Sequence, residues 1–481
     1  MSLVIKNIFW LIASRAVALF FLFLAYAQLF RYLGPFGSGQ YQFVLSYVLI
    51  FSTVVDFGAQ QFITKRMSED PQNTKKYFQS FFIFETVIAV FLYTLLLAVA
   101  YFRGYEPIVF KAVAITGLGM AANALCYPYL AVMTAKQDLR KVAFINFLNS
   151  LVNITVIFLA IWLKKYIVFL ASIQLVFGIL DLILYKIFVR KHLYRSAAEG
   201  GTPPILGGDK MVIIDILKSA WPFGLLVGFS AIYNRIDVII ITKLLGFAQT
   251  GLYTAAYKFV DLLNFFPASV SHTLFPVLAG LMMQRMIFDV KVTLEKYLRI
   301  MIAVALPMAV GGTILSKQLI ILVAGQEFSS AAPVLSILIW AVAILFIYIP
   351  VNSLIISQLT KFAALVTGVN VLINIIGNIV LIPIYGIKAA AAMTVVSESI
   401  QGVFYFYFVR KKITDFAVVS ILWKPLFASA LMGLVVWSVR GVNLIFSTII
   451  GAGVYALMLL LIGFIRKEDV SFLRSVFKQN T

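Results

Sequence analysis

The stretch that decides the fold is RIDVIIITKLLGFAQTGLY, residues 235–253. It places Arg235 and Asp237 two residues apart in an otherwise apolar helix, which then ends in a turn bounded by glycines. The turn has the pattern Leu-Gly-x4-Gly-x-Tyr at Leu245–Tyr253, and the same pattern occurs at Leu33–Tyr41, 212 residues earlier. The two copies predict a chain built from two copies of one helical unit, with rare charged side chains between them.

Composition identifies the solvent of this chain. Of its 481 residues 62% are hydrophobic and 12% are charged, and the mean hydropathy is +1.00, whereas a soluble domain is about half apolar and about a quarter charged. Apolar runs of about 20 residues predict membrane-spanning helices, because a helix satisfies its own backbone in lipid. We predict an all-α integral membrane protein with about 14 spans, near 8–30, 41–64, 78–102, 108–134, 142–163, 167–189, 219–245, 251–278, 297–316, 331–358, 362–382, 387–409, 420–440 and 443–465.

The net charge of +20 does not indicate nucleic-acid binding, because the basic residues lie in short connections between apolar runs. Most of them fall in alternate connections, such as Lys65-Arg66, Arg190-Lys191 and Arg410–Lys412. The positive-inside rule therefore predicts that both termini are cytoplasmic. No metal, cofactor or ATP site is expected, because the two histidines form no metal motif and no phosphate-binding GxxxxGK[ST] motif is present.

A second repeat supports the first. Asn149 and Asn153 in the fifth predicted span match Asn370 and Asn374 in the eleventh at a spacing of 221 residues. Both repeats join helices of the same predicted direction, so they predict parallel repeats related by an axis along the membrane normal. The expected organisation is a six-helix lobe at 1–190, a cytoplasmic linker with a short amphipathic piece at 191–218, a second six-helix lobe at 219–412, and two extra helices with a cytoplasmic tail at 413–481.

Ionisable residues inside the spans are candidates for function, because each costs about 2.5–3.5 kcal/mol at mid-bilayer on insertion scales. By depth they fall into two groups and one isolated residue, namely Arg15, Asp56 and Glu85; Arg235, Asp237, Lys258 and Asp261; and Glu398. One interpretation is that they form interhelical ion pairs that fix packing. The other is that the acidic residues couple transport to an ion and that the cations bind a diphosphate, since guanidinium matches phosphate geometry.

The asparagines have two interpretations as well. Helical spacing puts them in two stripes, and interhelical hydrogen bonding, at about 0.6 kcal/mol each, is the favoured explanation. The alternative is that Asn149, Asn153, Asn370 and Asn374 form a polar lining for sugars.

Several short motifs accompany the repeat, namely Arg31-Tyr-Leu-Gly-Pro35, Gly39-x-Tyr41, Asp56-Phe-Gly58, Lys65-Arg66, Arg235-x-Asp237, Leu245-Gly246, Gly251-x-Tyr253 and Phe275-Pro276. Together with the repeat, they make the chain resemble the polysaccharide-transport flippases of the multidrug/oligosaccharidyl-lipid/polysaccharide exporter superfamily. The resemblance implies an inner-membrane protein that moves undecaprenyl-diphosphate-linked oligosaccharide outward for O-antigen, capsule or exopolysaccharide synthesis. It also implies two V-arranged lobes around a cationic cavity that opens alternately to each side, with Arg15 and Arg235 as candidates for the diphosphate contact. Lys258, a cation of the second group, is a further candidate.

The predicted function is therefore a flippase that works by alternating access and is coupled to H⁺ or Na⁺. Its expected partners are lipid-linked oligosaccharide, membrane lipid, and the polysaccharide polymerase and chain-length proteins. One alternative is a cation-coupled multidrug exporter of the same superfamily. The other is an enzyme of the pathway, such as a polymerase or ligase, which is disfavoured because it is expected to need a sizeable outer loop with catalytic groups.

Overall fold

The computed structural model describes residues 2–56, 58–198, 208–416 and 418–464, and no strand occurs among them. The α-helices are, in chain order, α1 Ser2–Asp56, α2 Ala59–Glu69, α3 Thr74–Phe102, α4 Pro107–Ala124, α5 Tyr127–Ala135, α6 Leu139–Trp162, α7 Ile167–Ala198, α8 Lys210–Leu245, α9 Phe247–Leu263, α10 Phe265–Met283, α11 Ile287–Ile314, α12 Ser316–Ala324, α13 Ala332–Gln358, α14 Thr360–Tyr385, α15 Ile387–Lys412, α16 Val418–Val439 and α17 Leu444–Leu461. Short 3-10 turns lie at Pro71–Asn73 and Gln326–Ala331. The prediction of an all-helical chain is confirmed.

Eleven segments of the described chain are long and apolar enough to cross a membrane. The longest, Leu19–Glu69, holds most of the first two predicted spans. The helices of the seventh and twelfth predicted spans, α8 and α15, are not among the eleven, so the number fourteen stays a prediction. The connection after the ninth span is the short helix α12 and the 3-10 turn Gln326–Ala331.

The helices group into two compact units. One, called the N-unit here, is Phe36–Gly251; the other, the C-unit, combines Met1–Pro35 with Leu252–Thr481. Both boundaries fall inside the repeated turn, one in each of its two copies. The lobes expected at 1–190 and 219–412 stay a prediction.

Each unit has its own apolar core. In the N-unit, Phe81 of α3, Met133 of α5 and Ile216 of α8 belong to one buried cluster. In the C-unit, the two helices that have no counterpart in the repeat, α16 and α17, share a cluster with α11, and the Tyr455 hydroxyl donates a hydrogen bond to the Ala303 carbonyl at 2.8 Å. The extra helices are thus packed into the C-unit.

The repeated turn is repeated in backbone geometry. Gly34 has φ 64° and ψ −179°, and its counterpart Gly246 has φ 84° and ψ 176°. Glycine is the residue that adopts positive φ at no steric cost, which explains why both copies carry it. The second glycine of the turn serves another purpose, since a Cβ on Gly39 would lie 1.8 Å from the Phe247 carbonyl oxygen. Within the N-unit the two turns therefore touch through their backbones.

The asparagine repeat is also a repeat in packing. In the N-unit, the Asn149 amide on α6 donates to both carboxyl oxygens of Asp181 on α7, at 3.0 and 3.1 Å. In the C-unit, the Asn370 amide on α14 donates to the Ser397 carbonyl at 3.0 Å and to Gln401 Oε1 at 3.1 Å, both on α15. Each asparagine thus fastens its helix to the next one along the chain.

Helix α8 begins at a polar anchor. Asp209 caps it by accepting from the Met211 amide at 2.8 Å, and its own amide donates to Ser80 Oγ at 2.9 Å. Lys76 Nζ lies 2.6 Å from Asp209 Oδ2. The amphipathic piece expected at Met211–Lys218 is the start of α8 and continues into the predicted span without a break.

This anchor makes the start of α8 sensitive to acid. The Lys76 ammonium holds the pKa of Asp209 below its ordinary value, so the stabilisation is present at neutral pH and is lost as the pH falls through that lowered pKa. We expect Asp209→Asn, which can still cap the helix, to lower amide protection at residues 211–213 at pH 7 by up to about fivefold, corresponding to about 1 kcal/mol for a partly exposed pair. Hydrogen exchange measures this change, and the exposed Asp215→Asn serves as the control. Equal protection in Asp209→Asn and the unmodified protein at pH 7 contradicts the prediction.

Candidate functional site

Two acidic residues meet where α1 ends. Gly58, with φ 74° and ψ 7°, separates α1 from α2, and Asp56 Oδ1 accepts from the Gln60 amide at 3.0 Å. Glu85, in the middle of α3, interacts electrostatically with Asp56. Tyr127, at the first position of α5, interacts with both carboxyl groups. The helix break thus brings side chains of three elements together inside the N-unit.

Glu85 is the unusual member of this cluster. Its side chain is fully buried, and within the described part of the chain neither carboxyl oxygen has a hydrogen-bond partner. Burying an ionised carboxylate without a partner costs several kcal/mol, and the nearby Asp56 disfavours a second negative charge. The arrangement is therefore suited to hold a proton or a small cation that neutralises the pair.

The cations expected to bind diphosphate lie in different places. Arg15 is in α1, with its side chain outside the described part of the structure. Arg235 is half-buried on α8 of the N-unit, close in sequence to Asp237, which is buried. Lys258 is on α9 of the C-unit.

Lys258 is engaged by its neighbours. Its ammonium lies 3.2 Å from Asp261 Oδ2, one turn further along α9, and 4.3 Å from the centre of the Tyr26 ring on α1. The ion pair lies within α9 and is not interhelical, so the Lys258 contact that joins α9 to α1 is the one with the Tyr26 ring.

Glu398 belongs to a buried polar network of the C-unit. It accepts a hydrogen bond from the Tyr348 hydroxyl, which joins α15 to α13. On the neighbouring face, Asn374 donates to Ser397 Oγ at 3.0 Å, and Asn378 donates to Asn374 Oδ1 at 2.9 Å. The Tyr348–Glu398 and Asn374–Ser397 bonds join packed helices, as the favoured interpretation of the asparagines expects, whereas the Asn378–Asn374 bond lies within α14. A role in lining a path for sugars stays a prediction.

Sequence reasoning missed several partners in these networks. Asp181 accepts the hydrogen bonds from the Asn149 amide. It is an acidic residue inside an apolar span, and this could be seen in the sequence. Ser397, Gln401 and Tyr405 recur every four residues on α15, and Gln401 donates to the Tyr405 hydroxyl at 3.2 Å. This spacing marks a polar stripe on one helix face. The Oδ1 atom of Asn153 is buried and has no partner among the described residues.

A family model described as "Polysaccharide biosynthesis protein" matches residues 4–282, which is more than half of the chain. The chain belongs to the polysaccharide biosynthesis protein family. This family member is similar to the probable low-salt glycan biosynthesis flippase Agl15 of Haloferax volcanii, with 25% identity over 177 residues. The matched region spans 37% of this chain and 38% of that relative, which is well under half of either protein.

Solved structures extend the likeness in fold to nearly the whole polysaccharide biosynthesis protein. The lipid II flippase MurJ in an inward closed conformation superposes with a TM-score of 0.76 at 16% identity, covering 96% of this chain and 98% of that one. An inward-facing multidrug resistance MATE transporter of the MOP superfamily gives a TM-score of 0.62 at 13% identity, with 85% and 94% covered. The expected fold is confirmed as a multi-span helical membrane fold of the MurJ and MATE type.

Proposed function

We propose that this protein moves a lipid-linked oligosaccharide across the membrane by alternating access. The observation that carries the proposal is the fold, which is shared over 96% of the chain with a lipid flippase in a chain of the polysaccharide biosynthesis family. The relative named as a glycan biosynthesis flippase supports it. In the finer form of the proposal the carrier is undecaprenyl diphosphate, the product serves O-antigen, capsule or exopolysaccharide synthesis, and the protein lies in the inner membrane with both termini cytoplasmic.

A vesicle assay tests this function. Purified protein is reconstituted into vesicles that contain a fluorescent lipid-linked oligosaccharide, and an impermeant quencher reports how much of the label is on the outside. We expect protein-dependent loss of the quencher-protected pool. The same rate of loss in protein-free vesicles contradicts the proposal.

Multidrug export is the second candidate, because the chain shares its fold with a MATE transporter at a TM-score of 0.62. The two functions differ in cargo. Increased drug sensitivity of a deletion strain with normal surface polysaccharide favours export. Loss of surface polysaccharide with unchanged drug sensitivity favours the flippase.

We assign the diphosphate contact to Arg15 and Arg235 ahead of Lys258, because a guanidinium offers phosphate a planar fork and an ammonium offers only a point charge. Arg15→Ala and Arg235→Ala are each expected to lower the flipping rate at least about tenfold, because each removes a bidentate phosphate donor. Arg235→Lys is expected to be only partly active, since lysine keeps the charge but not the planar fork. The exposed Lys186→Ala is the control, and full flipping by both alanine variants at normal protein level contradicts the assignment.

For ion coupling we favour the Asp56–Glu85 pair over Asp237, Asp261 and Glu398. Glu398 accepts from Tyr348 and Asp261 pairs with Lys258, whereas Glu85 is buried with two unpartnered oxygens. Binding and release of H⁺ or Na⁺ at this pair would change the charge of a buried helix break. Such a change is a physical means of favouring one conformation over another.

A further inference from the structure

The N-unit contains a cavity of about 590 Å³ that none of the roles above uses. Arg103 and Lys243 lie on its wall, and so do Val99, Ile239 and Phe51. Arg103 follows the last residue of α3, between the candidate spans Pro71–Phe102 and Pro107–Ala135. One end of the cavity is therefore at a membrane face.

The end at the membrane face is cationic. Arg103 and Lys243 both sit at helix C-termini, where the helix dipole favours a positive charge. Neither side chain forms a hydrogen bond or an ion pair within the residues that the structure describes. Glu106 is a carboxylate that also lines the cavity, and it accepts a hydrogen bond from Gln40 Nε2 at 3.0 Å. Its partner is therefore the Gln40 amide and not one of the two cations. Two positive groups are thus left to attract an anion.

The rest of the cavity is apolar and lies deeper. Val99 is four residues before Arg103 at the end of α3, and Ile239 is four residues before Lys243 on α8. Each cation therefore has an aliphatic side chain about 6 Å further into the bilayer. Aromatic side chains line the cavity as well, among them Phe43 and Tyr105, whose ring centres are 5.1 Å apart. Polarity thus falls from a cationic rim to an apolar floor, which matches the shape of an amphiphile with an anionic head.

We propose that this cavity binds a phosphate-bearing lipid. The phosphoryl group lies between Arg103, which offers a planar fork, and Lys243, which offers a point charge. The hydrocarbon chain lies along Val99, Ile239 and Phe51. Such a lipid has two sources, an anionic phospholipid of the surrounding membrane and a polyprenyl phosphate. The site does not depend on the proposed flippase activity, because binding requires no transport.

Selectivity is expected to come from the head group. A chain that leaves the bilayer for an apolar groove exchanges one apolar environment for another and gains little. The two cations gain from a phosphate monoester or diester that has no compensating positive charge. We therefore expect anionic lipids to bind in the cavity, and we expect that phosphatidylcholine does not bind there.

Native mass spectrometry of the full-length protein tests the site. The probes are dioleoylphosphatidylglycerol, undecaprenyl phosphate and dioleoylphosphatidylcholine, each added at the same concentration. Arg103→Ala/Lys243→Ala is expected to lower the occupancy of the anionic probes at least tenfold. Lys317→Ala/Arg440→Ala removes the same charge elsewhere and is expected to leave the occupancy unchanged. Ile239→Trp fills the apolar part and is expected to lower occupancy without a change in charge.

The outcomes separate the two sources. A drop for both anionic probes supports a site for membrane phospholipid that also accepts the polyprenyl phosphate, and a drop for undecaprenyl phosphate alone supports the carrier lipid. Occupancy that is unchanged in both the double variant and Ile239→Trp overturns the proposal. An equal loss of phosphatidylcholine occupancy in the double variant also overturns the proposal, because it shows that the cavity does not distinguish lipids by their charge.

Discussion

Gly39→Ala is expected to destabilise the protein by about 3 kcal/mol or more, at or above the usual upper range for overpacking. The added Cβ would lie 1.8 Å from the Phe247 carbonyl oxygen and 2.9 Å from the Gly251 amide nitrogen. Both obstacles are backbone atoms, so no side chain can turn aside to make room. The two copies of the repeated turn must therefore separate.

The measurement is thermal unfolding of the detergent-purified protein, with yield as a second readout. We expect the transition of Gly39→Ala to fall by about 5 °C or more. Gly280→Ala in α10 is the matched control. A Cβ at Gly280 would have no neighbouring atom within 4 Å, and alanine favours the helical conformation. A transition for Gly39→Ala equal to that of Gly280→Ala contradicts the close approach of the two turns.

This contact shows what the sequence could predict. The repeated Leu-Gly-x4-Gly-x-Tyr pattern predicted two equivalent turns, and Gly34 and Gly246 have nearly the same backbone angles. It did not predict that Gly39 of one turn touches Phe247 of the other, because local pattern carries no information on which equivalent segments meet. Hydropathy likewise located the helices. It could not locate the boundaries of the two compact units, which lie inside the turns, because these boundaries depend on tertiary contacts.

The candidate site shows the same limit. An acidic residue in an apolar run is visible in the sequence, so Asp56 and Glu85 were predicted to lie near each other. Whether a buried acid has a partner was not visible. Glu398 and Glu85 are both acidic residues inside apolar spans, but within the described residues only Glu398 accepts a hydrogen bond, from the Tyr348 hydroxyl. The partner comes from α13, 50 residues away in the chain.

This difference predicts opposite effects of the same substitution. Glu85→Leu is expected to stabilise the protein by about 1–3 kcal/mol, because it removes a buried acid that has no hydrogen-bond partner. Glu398→Leu is expected to destabilise it by about 1–3 kcal/mol, because it removes the carboxylate that accepts a hydrogen bond from the buried Tyr348 hydroxyl. Thermal unfolding of the two variants beside the unmodified protein measures both signs. Destabilisation by both substitutions contradicts the view that Glu85 lacks a stabilising partner.

If the protein works as proposed, replacing Glu85 stabilises the fold but removes the group that couples transport to H⁺ or Na⁺. Glu85→Gln keeps the shape of the side chain but cannot exchange a proton or balance the charge of a cation. We expect flipping driven by an imposed H⁺ or Na⁺ gradient to fall at least about tenfold, which corresponds to about 1.4 kcal/mol, while slow flipping without a gradient persists. Glu69→Gln, an exposed acid at the end of α2, is the control. An unchanged response to both gradients in Glu85→Gln rules out this residue as the coupling group, and a loss of gradient-free flipping as well assigns it to the transport path itself.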